Sequence, residues 1–197
     1  MAVMTRDKIL FEANALMCGK GYSSFSYADL SKIIGITKAS IHHHFPTKDI
    51  LGETVILESL QKQEQSLTAI DENNKSCVNR IRAYIDLFIE SFRNSQLPLC
   101  CALSAELDNL PVNMKEKVTI YFDCQVNWLE KTLNEGVDSG EIKSEINIHQ
   151  AAMMILTLCE GACIVARPVR NEDVFRQSFE QTLTLLINKQ ENRYELE

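Results

Sequence analysis

The sequence predicts an all-α fold of about nine helices, and three observations carry that expectation. The 197 residues include only seven glycines and four prolines, too few for a sandwich of short strands with a turn every ten residues or so. Apolar residues recur at the three- and four-residue spacing of helix faces along most of the chain. No alternating run reaches a useful strand length, and no internal repeat is present. With 45% hydrophobic and 24% charged residues, a disordered or collagen-like chain is excluded.

In the first helix, Thr5 to Lys20, Ile9, Leu10, Ala13, Leu16 and Met17 share one face. Thr5 is its expected N-cap, Asp7 sits in its first turn, and Gly19 and Gly21 mark its end. A short second helix starts at Ser26 or Tyr27, carries Leu30, Ile33 and Ile34 as its apolar positions and stops at Gly35. Thr37 caps a third, which ends near His44 with Ile41 inward and Phe45 following. Thr47 caps a long fourth helix from Lys48 to about Ala69, since Pro46 must precede it. The polar run Asp71 to Lys75 reads as a loop. Ile81, Tyr84, Ile85, Phe88 and Phe92 trace the fifth helix, and a short sixth runs from about Pro98 to Asn109. Pro111 opens the seventh, with Val118, Phe122, Val126, Leu129 and Leu133 on one face. Gly136 to Ile148 reads as a polar connection. The eighth, about Ile148 to Arg167, is apolar nearly all round, and the ninth, about Glu172 to Asn188, is amphipathic on Val174, Phe175, Phe179, Leu183, Leu186 and Ile187.

A helix apolar on every side must be covered on every side. The stretch Ala151 to Ala166 falls short of the roughly 20 residues of a membrane span and carries Thr157 and Glu160, so no membrane partner is expected. It belongs in the centre of the domain or against another subunit. Its pairing with the ninth helix favours a homodimer built as a four-helix interface from two copies of about 148–167 and 172–188. No segment has a signal peptide's pattern, so a cytoplasmic location is expected. The seven scattered cysteines are expected to be reduced thiols.

The net charge of −7 hides an asymmetry: residues 1–50 hold six Lys and Arg against four acids, a balance of +2, and the rest carries −9. A mildly basic head on an acidic body suggests that only the head meets a polyanion. Within that head, Tyr27 to Phe45 has helix-turn-helix spacing. Small Ser31 lets the two helices approach, Gly35 makes the turn, and Ile36 and Ile41 plug the space between them. Lys38, Ser40, His42, His43 and His44 then lie on an outward helix, where they can donate to phosphates and base edges. Three consecutive histidines point about 100° apart on a helix and cannot converge on one ion, so no metal site is expected there.

The first 51 residues resemble the DNA-binding region of the TetR family of transcriptional repressors. The resemblance rests on Gly21-Tyr22 after the first helix, Ser26-Tyr27 leading into Leu30, Gly35-Ile36-Thr37-Lys38, Ile41, Phe45, and Thr47-Lys48-Asp49 before Leu51. It implies a helix-turn-helix DNA-binding domain over 1–50 and a helical ligand-binding and dimerisation domain over 51–197. It also implies a homodimeric repressor, released from a near-palindromic double-stranded operator when a small-molecule inducer binds the body. Carried over position by position, Thr37, Lys38, Ser40, His42 and His43 fall on base- or phosphate-contacting sites. His44 falls near the DNA backbone and Lys48 on a phosphate. The chain departs from the family where Tyr is frequent, at His42 and His43, and where Ala is usual, at Ser31.

A signal-responsive body needs a cavity of apolar walls with a few polar groups. Phe88, Phe92, Phe122 and Trp128 are candidate walls, and Glu106, Gln125 and Glu160 are candidate polar groups because apolar residues flank them. Pro98 to Leu107, with Cys100 and Cys101, is similar to the Cys-containing segment of a branch of TetR-like regulators that includes thiol sensors of electrophiles and oxidants. A redox- or electrophile-responsive repressor acting through Cys100 and Cys101 is therefore the alternative. The sequence has no Gly-rich phosphate loop, His-Glu-x-x-His, Cys-x-x-Cys or Gly-x-Ser-x-Gly, so neither an enzyme nor a cofactor is expected.

Overall fold

The computed structural model describes residues 4–188 and is all-helical apart from one isolated bridge. Its elements are α1 (Thr5–Lys20), α2 (Tyr27–Ile34), α3 (Lys38–His44), α4 (Lys48–Asn73), α5 (Cys77–Arg93), α6 (Leu99–Ser104), a 3-10 turn (Leu107–Asn109), α7 (Val112–Asp138), α8 (Ile148–Val169) and α9 (Asp173–Leu186).

Polar caps fix the ends of the short helices. Ser26 and Asp29 form a reciprocal capping box at α2, Thr37 accepts the Ser40 N–H at α3, and Thr47 accepts the Ile50 N–H at α4. Gly35 ends α2 at φ +78°, a left-handed turn that a side chain would strain. Thr5 is not a cap: it is the first helical residue, preceded by Met4, whose side chain accepts nothing. Ile33 does not point inward either. It is 51% exposed, and Tyr27 and Leu30 make the buried side of α2.

Other boundaries differ from the sequence expectation: the sixth helix ends at Ser104 rather than near Asn109, with a separate 3-10 turn over Leu107–Asn109, and α4 and α7 run on further than expected. The helix α4 continues through Asp71 to Asn73 because Leu67 and Ile70 carry its buried face a turn further. The Asp71 carboxylate then accepts Trp128 Nε1–H at 3.2 Å and pairs with Lys131, so a run that looks like loop is the polar edge of a helix. In α7, the buried face is Met114, Val118, Tyr121, Gln125, Trp128, Leu129 and Leu133, while Phe122 and Val126 are only half-buried. The inward line is rotated because Gln125, a polar residue, lies in the core. The same helix runs on past Gly136, where an added Cβ would sit 2.6 Å from Cys77 Sγ, so only glycine permits the close approach of α5 and α7 there.

Two clusters of buried side chains hold the molecule together. One joins α1, α2, α3 and the first half of α4 to α6 and the start of α7, through Ile9, Leu30, Ile41, Ile56, Leu103 and Met114. The other joins the end of α4 to α5, α7, α8 and α9, around Tyr84, Leu129, Ile155 and Phe175. Phe175 is fully buried, and its truncation to Ala would cost about 3–5 kcal/mol. The helices α4 and α7 cross closely at Gly52, where a Cβ would fall 2.7 Å from Met114 Sδ.

At 22 residues, α8 is longer than the sequence suggested and reaches the length and hydropathy of a membrane span. It packs on α5, α7 and α9 through Ala152, Ile155, Cys159 and Ala166. Its other side leaves Met153, Met154, Ile164, Val165 and Val169 exposed, and Leu185 of α9 is 57% exposed.

Candidate nucleic-acid interface and body cavity

The orientation of α3 is set by three contacts. Ile41 is fully buried under it. Tyr27 Oη donates to Phe45 O at 2.8 Å, which ties the end of α3 to the start of α2. Ser31 Oγ donates to Ile36 O at 2.5 Å, so this serine also pins the turn. With its inner side held, α3 presents Lys38, His42 and His43 to solvent, with Ser40 and His44 partly exposed beside them and Thr37 exposed at its start.

His42 is the most constrained of the three imidazoles. Its Nδ1 lies 3.1 Å from Pro46 O, and its ring meets Tyr27 edge-on at 4.7 Å. A carbonyl only accepts, so Nδ1 carries the proton and Nε2 of the neutral ring is left as an acceptor. The rings of His43 and His44 are 5.4 Å apart. Among the described residues, no group of three His, Cys, Asp or Glu side chains could hold a metal ion.

Lys48, expected on a phosphate, has its ammonium folded inward. It donates to Phe25 O and lies 4.5 Å and 4.4 Å above the rings of Tyr22 and Phe25. Burial lowers its pKa, opposed by the charges of Glu106 and Asp49. Tyr22 Oη in turn donates to Asp49 Oδ1 at 2.7 Å. The first turn of α4 is thereby clamped to the segment that follows α1.

The body holds a cavity of about 210 Å³ bounded by α1, α4, α5, α7 and α8 and by the segment leading into α6. Of the residues expected to meet a ligand, Phe88, Gln125 and Glu160 line it. Asn14, Ser59, Gln63, Leu99 and Tyr121 also line it and carry no signal in the sequence that singles them out. The remaining candidates lie elsewhere. Phe92 packs on Phe175 at 5.8 Å, Trp128 stacks on Tyr84 at 5.5 Å, and Phe122 stands edge-on to Tyr121. Glu106 reaches out of the body, where its carboxylate accepts the backbone N–H groups of Tyr22 and Ser23. A larger, open cleft of about 750 Å³ runs between α1, α2 and α4 past Phe11 and Ile33, and no expected ligand residue lines it.

Polar groups inside the 210 Å³ cavity are arranged asymmetrically. Tyr84 Oη donates to Gln125 Oε1 at 2.7 Å, Gln63 Nε2 donates to the same oxygen at 3.5 Å, and Gln125 Nε2 has no partner among the described residues. Both carboxylate oxygens of Glu160 are likewise buried, with no charged partner among those residues and only the Cys101 thiol, a weak donor, beside them. Burial raises the Glu160 pKa to about 7, with the Cys101 thiol acting the other way. Cys101 itself is pushed up to about 12 and Cys100 well above its usual value, in both cases first by burial and then by the charge of Glu160. Both are therefore protonated thiols at neutral pH, the unreactive form.

Comparison with known proteins points in one direction. The family model described as "Bacterial regulatory proteins, tetR family" matches residues 9–53, and that described as "Tetracyclin repressor-like, C-terminal domain" matches residues 77–182. The chain is similar to the transcriptional regulator UidR of Escherichia coli K12, 26% identical over 93% of this chain and 91% of that one. It is also similar to the transcriptional repressor DhaR of Mycobacterium sp. GP1, 21% identical over 95% and 94%. In structure it superposes on a TetR-family regulator from Agrobacterium tumefaciens with a TM-score of 0.89, at 28% identity over 93% and 97% of the two chains.

Proposed function

The chain belongs to the TetR family of bacterial transcriptional regulators, and from that premise we propose that it is a cytoplasmic homodimeric repressor, released from a near-palindromic operator when a small molecule fills the body cavity. Residues 1–50 act as the DNA-binding domain and 51–197 as the ligand-binding and dimerisation domain. The observation that carries the reading is α3: a helix held on its inner side by Ile41, Tyr27 and Phe45 whose outer side is Lys38, His42 and His43.

Two such helices, one per protomer, enter successive major grooves about 34–36 Å apart. Thr37 and Lys38 hold phosphates, and Ser40, His42, His43 and His44 reach base edges or the adjacent backbone. The exposed apolar side of α8, with Leu185 of α9, joins the protomers. Pro98 and Leu99 line the cavity at the start of α6, and Glu106 beyond its end holds Tyr22 and Ser23. A ligand that displaces α6 therefore pulls on the head and changes the separation of the two recognition helices. The protonated state of Cys100 and Cys101 favours reversible ligand binding over a thiol switch.

The test is selection of bound duplexes from a random library by the purified full chain, followed by a salt titration on the selected sequence. An inverted repeat with half-site centres one helical turn apart is expected, with log Kd rising steeply with log salt. Recovery of no sequence, or binding indifferent to salt, would overturn the proposal.

A further inference from the structure

The polar groups of the body cavity are sided, and that sidedness selects a ligand. We infer that the cavity takes a small organic cation, an amine on a compact apolar body bearing one oxygen, with Glu160 pairing the ammonium and Gln125 donating to the oxygen. The inference deepens the repressor reading and rests on it.

A carboxylate buried without a partner is among the costliest arrangements in a protein, and buried charges are ordinarily paired. Glu160 has both oxygens buried with no cation to pair them and only the Cys101 thiol, a weak donor, beside them among the described residues, and it lines the cavity. The groups around it supply no cation. Cys101, Cys163, Tyr84 and Tyr121 are all neutral with raised pKa values, burial being the first cause in each. Lys62 borders the cavity with its side chain in solvent, and Arg167 lies two turns further along α8. A ligand ammonium would supply the missing charge.

Two further features fit the same occupant. Phe88 and Tyr121 line the cavity, and aromatic faces favour a cation once water is excluded. Gln125 Nε2 is a donor in need of an acceptor, since Tyr84 Oη and Gln63 Nε2 both donate to Oε1 and leave the N–H side of the amide unpaired among the described residues. At about 210 Å³, the space is below the ~300 Å³ at which drug-sized ligands fit, so the cation is small.

The experiment uses phenylethanolamine, phenylethane diol and mandelate, which share one skeleton and differ in carrying a cation, a neutral hydroxyl or an anion. Each is titrated calorimetrically into the full chain, and binding of the selected operator duplex is measured in parallel. Phenylethanolamine is expected to bind at least about tenfold more tightly than the diol, the scale of one hydrogen bond to a charged group, and mandelate not measurably. Glu160→Gln should bring the amine down to the diol's affinity. Wild type supplies a check that needs no variant. Amine affinity should rise about tenfold from pH 6 to pH 8, because Glu160, with a pKa near 7, must lose its proton to pair. Equal binding of the three probes, preference for mandelate, or an affinity that falls with pH would overturn the inference while operator binding keeps the repressor reading standing. Loss of operator binding by the wild type would instead sink that reading itself.

Discussion

The Glu106 carboxylate, two residues beyond the end of α6, accepts the Ser23 backbone N–H at 3.0 Å and the neighbouring Tyr22 N–H beside it. These are charge-assisted bonds across the seam between head and body, each worth about 1.5–3 kcal/mol. Gly21 makes room for them: its φ is +88°, and a Cβ there would lie 2.8 Å from Glu106 Oε1. Glu106→Ala is expected to lower stability by about 2–3 kcal/mol and to leave operator binding insensitive to whatever ligand releases the wild type. Urea unfolding and a release assay on the same preparation check both. A variant that still releases normally would remove Glu106 from the coupling.

Lys38 and Lys48 look interchangeable in the sequence, yet one is exposed and the other lies over two rings. Lys38→Ala should weaken binding of all duplexes about equally and reduce the salt slope by about 1. Lys48→Ala should leave the salt slope nearly unchanged and instead lower stability, by about 1–2 kcal/mol, through the lost contacts with Phe25 O and the aromatic faces. Salt titrations of the two variants separate the roles. A loss of one unit of slope in Lys48→Ala would place its ammonium on a phosphate.

How much of this was legible in the sequence follows from where the signals are local. The bounds of α2 and α3 could be read because Ser26, Gly35 and Thr37 act on their own backbone neighbours. The end of α4 could not, since Asp71 is kept helical by Trp128 and Lys131, far away in the chain. The inward face of α7 differs from the hydrophobic pattern for a related reason: hydrophobicity points to Phe122 and Val126, whereas the polar Gln125 is buried and bonded to Tyr84. Glu160 drew notice as a lone acid in an apolar helix. Asn14, Ser59 and Gln63 are ordinary surface residues of α1 and α4 until the fold brings them to one cavity.

The exposed stripe of Met154, Ile164 and Val165 on α8 is interrupted by Gly161, where an added Cβ would meet nothing within 4 Å. A small residue there lets a second helix approach closely. Val165→Asp should yield a folded monomer, with its helix content retained and its mass halved in sedimentation. Losing the second half-site contact should cost roughly 100-fold or more in operator affinity. A dimeric Val165→Asp protein would place the interface elsewhere.

Glu160 also makes a prediction about stability that does not depend on any ligand. Its carboxyl has an ordinary pKa of 4.5 when exposed and about 7 in the folded chain, raised by burial. Between those values the folded state holds a proton that the unfolded state has released, so the stability this group confers is present in acid and is lost as the pH rises through 7. At about 1.36 kcal/mol per pKa unit, the loss between pH 4.5 and 8 is roughly 3 kcal/mol. The nearby cysteines titrate far above this window, Cys101 at about 12, and add nothing to it. Glu160→Gln, with the same shape and no titrating proton, should therefore gain stability on the wild type steadily from about pH 5 to 8. Urea midpoints measured across that range decide it: the difference between the two proteins should grow with pH, and parallel curves would mean that Glu160 is paired or solvated in the folded protein.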